Sequence, residues 1–358
     1  MTSNIVSFAI VLGVLIFFHE LGHFLMARAF GVGVQIFSLG FGPRLLGKTV
    51  GRTDYRISAV PLGGYVKMVG EEPDAEIPPE DIPFSFSHKK LLPRFVIVAA
   101  GPTFNLILAV LIFFGVFLYS GIFYLKPHIG AVDPDGPAAR AGIRSQDTVV
   151  AIDGVAVDSW EAMSERILNS KGRPLSITIE REGESRTVDV HPSRKTVKNL
   201  FGEDSERYVI GITASGMTAS RKIGIGDAVI ESVGQTWKIA RLTVMSVVKL
   251  IDGTLSPKTL GGPILIAEMA GQQAREGAEN LIYFIAVISI NLAILNFLPI
   301  PVLDGGHLLF FLIEAVTRKP LSIRTREVAN QIGIFLLVLL MAFVFYNDLT
   351  RLFFETSR

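Results

Sequence analysis

Residues 5–27 form an apolar run that is long enough to cross a lipid bilayer, yet the run contains three ionisable side chains, His19, Glu20 and His23. A membrane-spanning helix needs about 20 apolar residues. Ionisable groups at that depth are costly and usually serve a function. A helix would place His19 and His23 on one face, where two imidazoles can bind one zinc ion beside Glu20 as general base. A polar helix–helix contact or a proton relay is the alternative.

Three further apolar runs follow, at residues 95–118, 281–313 and 331–346. The run 281–313 has 33 residues, and at about 1.5 Å per residue it is too long for one straight crossing. We expect a broken span there, because prolines and glycines interrupt helices. The residues predicted to break it are Pro299, Pro301, Gly305 and Gly306.

The composition agrees with a membrane protein that carries polar segments. Hydrophobic residues make up 49% of the chain and charged residues 19%, and the mean hydropathy is +0.46. A net charge of +1 gives no electrostatic reason to expect nucleic acid as a partner. The absence of cysteine from the sequence excludes disulfides, thiolate metal sites and cysteine nucleophiles.

Lysine and arginine in short loops predict the orientation of the spans. Residues 28–94 carry nine of these side chains and residues 314–330 carry four, so both segments are predicted to be cytoplasmic. The large segment between the second and third spans, and both termini, are then exterior. The predicted segments are 1–27 (first span), 28–94 (cytoplasmic loop with a β-hairpin), 95–118 (second span), 119–211 (exterior domain), 212–280 (linker), 281–313 (broken third span), 314–330 (cytoplasmic loop) and 331–358 (fourth span and tail).

Strand patterns alternate with turn residues in the exterior segment, and a helical pattern covers residues 159–168. These features predict a small α+β domain. Residues 122–211 resemble a single bacterial-type PDZ domain. The resemblance rests on the run from Gly136 through Gly142 to the "AIDG" strand and turn. In the linker, apolar residues recur at helical spacing over residues 229–251, which predicts an amphipathic helix. This helix could lie on the membrane surface or pack against the PDZ-like domain.

A catalytic zinc ion usually has three protein ligands and a water, so a third ligand is needed. Asp304 is the only acidic residue in the run 281–313 and follows the predicted break, which makes it the favoured candidate. His307 is the rival.

Three separated motifs, "HELGH", "GPTFN" and "NFLPIPVLDGGH", resemble those of the site-2 protease family of intramembrane zinc metalloproteases. The segments "FSLGFGPRL", "AVPLGGYVKM" and "LGGPILIA" resemble its regulator of sigma-E protease branch. The resemblance implies a polytopic α-helical membrane protein of four transmembrane segments with an inserted PDZ-like domain. It also implies one zinc ion held by His19, His23 and Asp304, with Glu20 as the catalytic acid and base. Members of this branch with two PDZ domains in tandem are known, whereas one copy is visible here.

The resemblance further implies the substrates. These are membrane proteins with a single transmembrane segment, such as anti-sigma factors and remnant signal peptides, which are cut after another protease has removed their exterior part. This is regulated intramembrane proteolysis, here in the inner membrane of a bacterium as part of a stress response. The sequence does not identify the substrate, the cleavage position, the upstream protease or the oligomeric state.

Four residues are candidates for binding substrate. The segment "DYRISAVPLGGYVKM" predicts two short strands around Gly63 and Gly64, and such a hairpin could pair with an unwound substrate. An ordinary cytoplasmic hairpin is the alternative. Asn291 and Asn296 precede the predicted break, where their amides could hold substrate backbone, as the resemblance supports. Helix–helix hydrogen bonding is the alternative for these two residues.

Two other classes of function are compatible with parts of the sequence. A transporter could use buried His, Glu and Asp side chains, but it should show an inverted repeat, which is not visible in this sequence. A scaffold could recruit partners through the PDZ-like domain around a purely structural metal. No clear carboxylate-binding loop of the GLGF type is visible, so we favour a PDZ-like domain that excludes substrates by size. Binding of peptides by this domain is the alternative.

Overall fold

A computed structural model describes residues 2–71 and 76–354 of the 358-residue chain. The helices within these residues are α1 (Thr2–Ala29), α2 (Leu91–Ser120), α3 (Pro137–Arg140), α4 (Trp160–Asn169), α5 (Ile225–Ile251), α6 (Pro263–Glu276), α7 (Ala278–Phe297), α8 (Asp304–Thr317) and α9 (Ile323–Phe354). The strands are β1 (Val34–Val50), β2 (Thr53–Met68), β3 (Ile122–Leu125), β4 (Ile129–Val132), β5 (Thr148–Ile152), β6 (Val155–Ala156), β7 (Leu175–Arg181), β8 (Glu184–Val190), β9 (Ser193–Lys198), β10 (Asp204–Val209), β11 (Ile212–Ala214) and β12 (Thr218–Arg221).

The chain forms two compact units. The helical unit comprises residues 1–116, 229–248 and 256–358, and the α+β unit comprises residues 117–228 and 249–255. Within residues 2–71 and 76–354, four helices are long and apolar enough to span a membrane, namely α1, α2, α7 and α9. The predicted fold class is therefore confirmed, because four candidate spans are accompanied by an inserted α+β unit.

The third apolar run is broken, as predicted, into α7 and α8. Residues 298–303 form the non-helical connection, and Val302 has a positive φ of 86°. The expectation that Gly305 and Gly306 help to break the helix is wrong, because both lie in the first turn of α8. A Cβ on Gly305 would lie 2.1 Å from the Leu298 carbonyl oxygen, so this glycine lets the connection fold tightly over α8.

The helices α1 and α2 approach each other closely at glycine. A Cβ on Gly22 would lie 2.4 Å from the Ala100 carbonyl oxygen, so only glycine permits this separation. Small residues at such interfaces let helix backbones approach in membranes. This contact fixes α1, which carries His19 and His23, against α2.

Helix α6, which begins in the "LGGPILIA" motif, is held at both ends. The carboxylate of Asp348 in α9 accepts hydrogen bonds from the backbone N–H groups of Gly262, Ile264 and Leu265, at 2.9, 3.0 and 3.2 Å. A carboxylate satisfies the free N–H groups at a helix N-terminus. At the other end, Arg275 donates to the side chain of Asn4 in α1. These hydrogen bonds therefore join α6 to α9 at one end and, at the other, to α1, the helix that carries the two histidines.

The segment between α1 and α2 is more extensively paired than predicted. Residues 36–39 of β1 lie beside both residues 64–67 and residues 54–57 of β2, and residues 44–50 lie beside residues 53–58. The predicted pairing of two short strands across residues 61–64 is wrong, because the tight turn lies at residues 51–52. The local pattern could not reveal that the neighbouring "FSLGFGPRL" segment lies between the two strands.

The predicted amphipathic helix is α5, and it packs against α7. Gln235 donates to the Tyr283 hydroxyl at 2.8 Å, and Thr243 donates to the Asn291 amide oxygen at 2.7 Å. Ser232, Thr236 and Ala240 are the buried side chains of α5 within the helical unit, whereas Trp237 is 72% exposed. The helix buries small and polar side chains, and its exposed side carries apolar residues together with Glu231, Lys238 and Arg241.

The α+β unit has its own hydrophobic core. A four-stranded sheet has the order β6–β5–β7–β8, and α4 covers it through Met163 and Ile167. The Ser159 hydroxyl caps α4 by accepting from the Ala162 N–H at 3.2 Å. The buried Asp147 carboxylate accepts two hydrogen bonds from Arg181, at 2.7 and 2.8 Å. This unit starts and ends on paired strands, β3 and β12.

Candidate metal centre

His19 and His23 of α1 meet Asp304 of α8 in a compact cluster. The two Nε2 atoms are 3.3 Å apart, and they lie 3.2 and 3.6 Å from Asp304 Oδ2. The three side chains are only 11 to 18% exposed. Together they form a group of side chains that could hold one metal ion. The structure thus brings together three residues that are separated by up to 285 positions in the sequence (304 minus 19).

The spacing of these three atoms fits zinc. Zinc–nitrogen and zinc–oxygen bonds of about 2.0–2.2 Å in a tetrahedral site place neighbouring ligand atoms about 3.3–3.6 Å apart. The observed separations of 3.2, 3.3 and 3.6 Å match those edges. His23 Nδ1 lies 2.9 Å from the Ile97 carbonyl oxygen, which can accept only from a protonated nitrogen. In the neutral ring Nε2 then offers its lone pair to the centre, as a metal ligand requires.

Local structure holds each of the three side chains in place. A Cβ on Gly101 would lie 2.3 Å from His23 Nε2 and 2.9 Å from His19 Cε1, so glycine at this position of α2 makes room for both rings. Asp304 is the first residue of α8, where the helix dipole favours a carboxylate. Glu314, farther along α8, forms a 2.5 Å ion pair with Arg94 at the start of α2.

Glu20 lies beside the cluster and beside the hairpin. A Cβ added to Gly64 would lie 3.3 Å from Glu20 Cγ, and the Glu20 carboxyl group interacts with the backbone of Val66. Residues 64–68 pair with β1 on one side, and no other described strand pairs with them on the other. In this segment the Val66 N–H bonds to the carboxyl group of Glu20, the candidate general base, and the Met68 N–H donates to the Glu71 carboxylate at 3.0 Å. The sequence predicted the base and a strand here but gave no measure of their proximity.

His307, the rival third ligand, is not part of the cluster. It lies one turn beyond Asp304 on α8, it is exposed, and its ring stands edge-on to Phe310. The metal-competent group found among the described residues contains Asp304 instead.

The two asparagines predicted to bind substrate are partly buried in the last turns of α7. Asn291 accepts the hydrogen bond from Thr243 of α5, which is the helix–helix contact that the sequence left open. Its amide nitrogen is the group left for another partner. The binding of substrate by Asn291 and Asn296 stays a prediction.

The α+β unit contains a cavity of about 720 Å³ that sequence reasoning missed. It is lined by Met163 and Ile167 of α4 and by the segment 207–213, which includes Gly211 with a φ of 81°. The signal that could have located it is this glycine between two isoleucines, directly after a charged strand.

Comparison with known proteins identifies the family. Residues 7–340 match the family model described as "Peptidase family M50". The chain belongs to this family, the site-2 proteases. As an M50 peptidase it is a multi-pass membrane protein and a zinc metalloprotease, and the resemblance seen in the motifs is confirmed.

Relatives of this M50 peptidase match nearly its full length. A protein of Agrobacterium fabrum is 38% identical over 98% of this chain and 97% of its own, and its name is "Putative zinc metalloprotease Atu1380". Similarly named proteins of Campylobacter jejuni and Clostridium acetobutylicum are 37% and 35% identical. They are matched over 97% and 96% of this chain and over 93% and 97% of their own lengths.

Among solved structures, the PDZ domain of the SdrC-like protein from Listeria monocytogenes matches 25% of this chain and 88% of its own. The identity is 23% and the TM-score is 0.20.

Proposed function

We propose that this M50 peptidase hydrolyses peptide bonds within transmembrane segments, with His19, His23 and Asp304 as the zinc ligands and Glu20 as the general base. The observation that carries the proposal is the cluster of three ligand atoms at tetrahedral spacing, two of them on a candidate membrane span. A metal site in a protein that cuts soluble substrates has no reason to lie on such a helix.

The chemistry follows from the side chains around the centre. His19, His23 and Asp304 would hold a zinc ion, which would supply Lewis-acid chemistry by polarising the scissile carbonyl and lowering the pKa of the attacking water. Glu20 takes a proton from that water and returns it to the leaving amine. His23 Nδ1, the ring nitrogen that points away from the metal site, stays bonded to the Ile97 carbonyl. This bond keeps the ring oriented during turnover.

The substrate binds as an extended strand, since a helix shields its own carbonyl groups. Residues 64–66 lie beside Glu20, so that strand addition along this part of β2, at Gly63 and Gly64, would bring the substrate to the general base. Asn291 and Asn296 hold the substrate backbone from α7. Irregular structure at this depth requires a buried or hydrated site, which also supplies water for hydrolysis.

The orientation of the spans is inferred from the positive charges in the short loops. The class of substrates is inferred from the resemblance of the motifs. Residues 28–94 and 314–330 face the cytoplasm of a bacterium, and the α+β unit lies on the exterior side of its inner membrane. Substrates are proteins with one transmembrane segment, of the anti-sigma-factor or remnant signal-peptide kind. They are cut after a first exterior cleavage, in regulated intramembrane proteolysis during a stress response. The α+β unit excludes substrates that still carry a bulky exterior part.

A reconstituted proteolysis assay tests this function. The purified enzyme in lipid vesicles should cut a single-span test substrate within its apolar segment. A zinc chelator should abolish cleavage, and added zinc should restore it. Cleavage that persists after the metal has been removed would contradict the proposal, as would cleavage confined to the polar flanks of the substrate.

A further inference from the structure

Asn105 of α2 is a fully buried amide with no hydrogen-bond partner for either of its side-chain polar atoms among the described residues. Its backbone carbonyl is satisfied, because Ser289 of α7 donates to it at 2.7 Å. An unpaired buried amide costs about 1–3 kcal/mol on mutational scales. Asn105 lies on the face of α2 that approaches α1, and the cost of burying its unpaired amide calls for a compensating role.

A second unpaired group of complementary chemistry belongs to the metal cluster. His19 Nδ1 is buried and has no partner among the described residues. When Nε2 of a histidine binds a metal, Nδ1 carries a proton and almost always donates it to an outer partner. His23 satisfies this rule through the Ile97 carbonyl, whereas His19 has no equivalent bond. The donor on His19 and the amide oxygen of Asn105 are therefore both unpaired.

The packing of α1 on α2 places both groups close to Gly101. His23 bonds to the Ile97 carbonyl, and the rings of His19 and His23 both border Gly101. Asn105 is the next residue on that face of α2, because positions four apart share a face. Side chains lean toward the N-terminus of their own helix. Asn105 thus leans toward Gly101, the glycine that borders the His19 ring.

We propose that Asn105 is a positioning residue for the zinc ligand His19. Its Oδ1 accepts the Nδ1 proton of His19, directly or through one ordered water. The bond fixes the tautomer that directs Nε2 of His19 to the metal and holds the ring against rotation. The proposal rests on the zinc site described above and adds an outer partner to it. One face of α2 then serves both histidines, through the backbone of Ile97 and the side chain of Asn105.

Zinc affinity of the full-length protein tests this role without relying on activity. The informative variants are Asn105→Leu, which keeps the size but removes the acceptor, and Asn105→Asp, which keeps an acceptor. Ser289→Ala is the matched control, since it removes the hydrogen bond to the Asn105 backbone and leaves the side chain intact. Competition with a chromophoric zinc chelator measures affinity, and the visible spectrum of the cobalt-substituted protein reports the ligand geometry.

We expect Asn105→Leu to bind zinc about 10- to 100-fold more weakly, which is typical for loss of an outer partner. Asn105→Asp and Ser289→Ala should stay close to wild type, and only Asn105→Leu should shift the cobalt spectrum. Unchanged affinity in Asn105→Leu would overturn the proposal. An equal loss in Ser289→Ala would also overturn it, because packing at this point would then explain both results.

Two further measurements complete the test. If His23→Ala leaves zinc affinity unchanged, the metal site itself is misassigned, which is distinct from a failure at Asn105. If Asn105→Leu does not fold, a zinc-bound structure of the wild-type protein that resolves ordered water decides the question. His19 Nδ1 should contact the Asn105 amide directly or through one water, and a different partner for that nitrogen would overturn the proposal.

Discussion

His19, His23 and Asp304 offer lone pairs that converge on one point, and such an arrangement is stable only around a cation or a shared proton. The separations of 3.2 to 3.6 Å are those expected around zinc. The histidine spacing was readable from the sequence, because positions four apart share a helix face. Asp304 was readable because it is the only acid in its apolar run. The clearance at Gly101 and the contact of Gly64 with Glu20 were not, since both depend on how separate elements pack.

Asp304→Asn should remove zinc, whereas His307→Ala should retain it. An amide oxygen lacks the negative charge that holds the cation, and the loss should exceed the roughly 10- to 100-fold effect of an outer-shell change. His307 is exposed and lies outside the cluster, so its removal leaves the ligands unchanged. Metal content of the two purified variants provides the measurement. The ligand assignment fails if His307→Ala strips the metal and Asp304→Asn keeps it.

At the scale of the elements, length and hydropathy were sufficient to predict the four spans, because a bilayer leaves few alternatives to a long apolar helix. The broken third span was also readable, from Pro299 and Pro301. The pairing of residues 34–68 was not, because residues 36–39 join two segments that are distant along the chain. The amphipathic helix α5 was predicted, but the sequence left open whether its apolar side lies on a membrane surface or packs against the α+β unit. An apolar stripe faces inward in water but can face outward in lipid, and the pattern alone does not tell the two apart.

Gly101→Ala should disrupt the metal centre although position 101 holds no ligand. The added Cβ would overlap both imidazole rings, and overpacking of this kind costs about 1–3 kcal/mol. Gly115→Ala on the same helix is the matched control, since a Cβ there meets nothing within 4 Å. We expect lower zinc affinity and lower proteolysis for Gly101→Ala only. Equal behaviour of the two variants would show that the rings are not confined by α2.

At the scale of the whole molecule, every candidate catalytic, metal-binding and substrate-binding residue belongs to the helical unit. The α+β unit is inserted between α2 and α5 and has its own core and cavity. The sequence predicted this insertion from its strand and turn pattern. It did not predict the cavity, because the segment 207–213 and α4 are brought together only by folding. This division implies that chemistry and selection of substrates can be separated.

Excision of the α+β unit should loosen selection and leave catalysis in place. Leu125 of β3 pairs with Thr218 of β12, so residues 126–217 can be replaced by a short glycine turn without breaking this two-stranded stem. The excised form should cut full-length substrate, and both forms should cut substrate that has been trimmed beforehand. Because excision also removes Glu203, which forms an ion pair with Lys249 alongside that of Asp252, a Lys249→Met variant of the full chain is the control. If the excised enzyme binds zinc but cuts neither substrate, the unit belongs to the catalytic machinery.

The most direct test of the account is a paired measurement on Glu20→Gln, in which zinc content and cleavage of a trimmed single-span substrate are determined on the same preparation. Glu20 lies beside the ligands without being one of them, and glutamine keeps its size while it removes the base. The account predicts a full complement of zinc together with a loss of cleavage of about 100-fold or more, in the range typical of general acid–base catalysis. Wild-type cleavage by a zinc-loaded Glu20→Gln enzyme would contradict it.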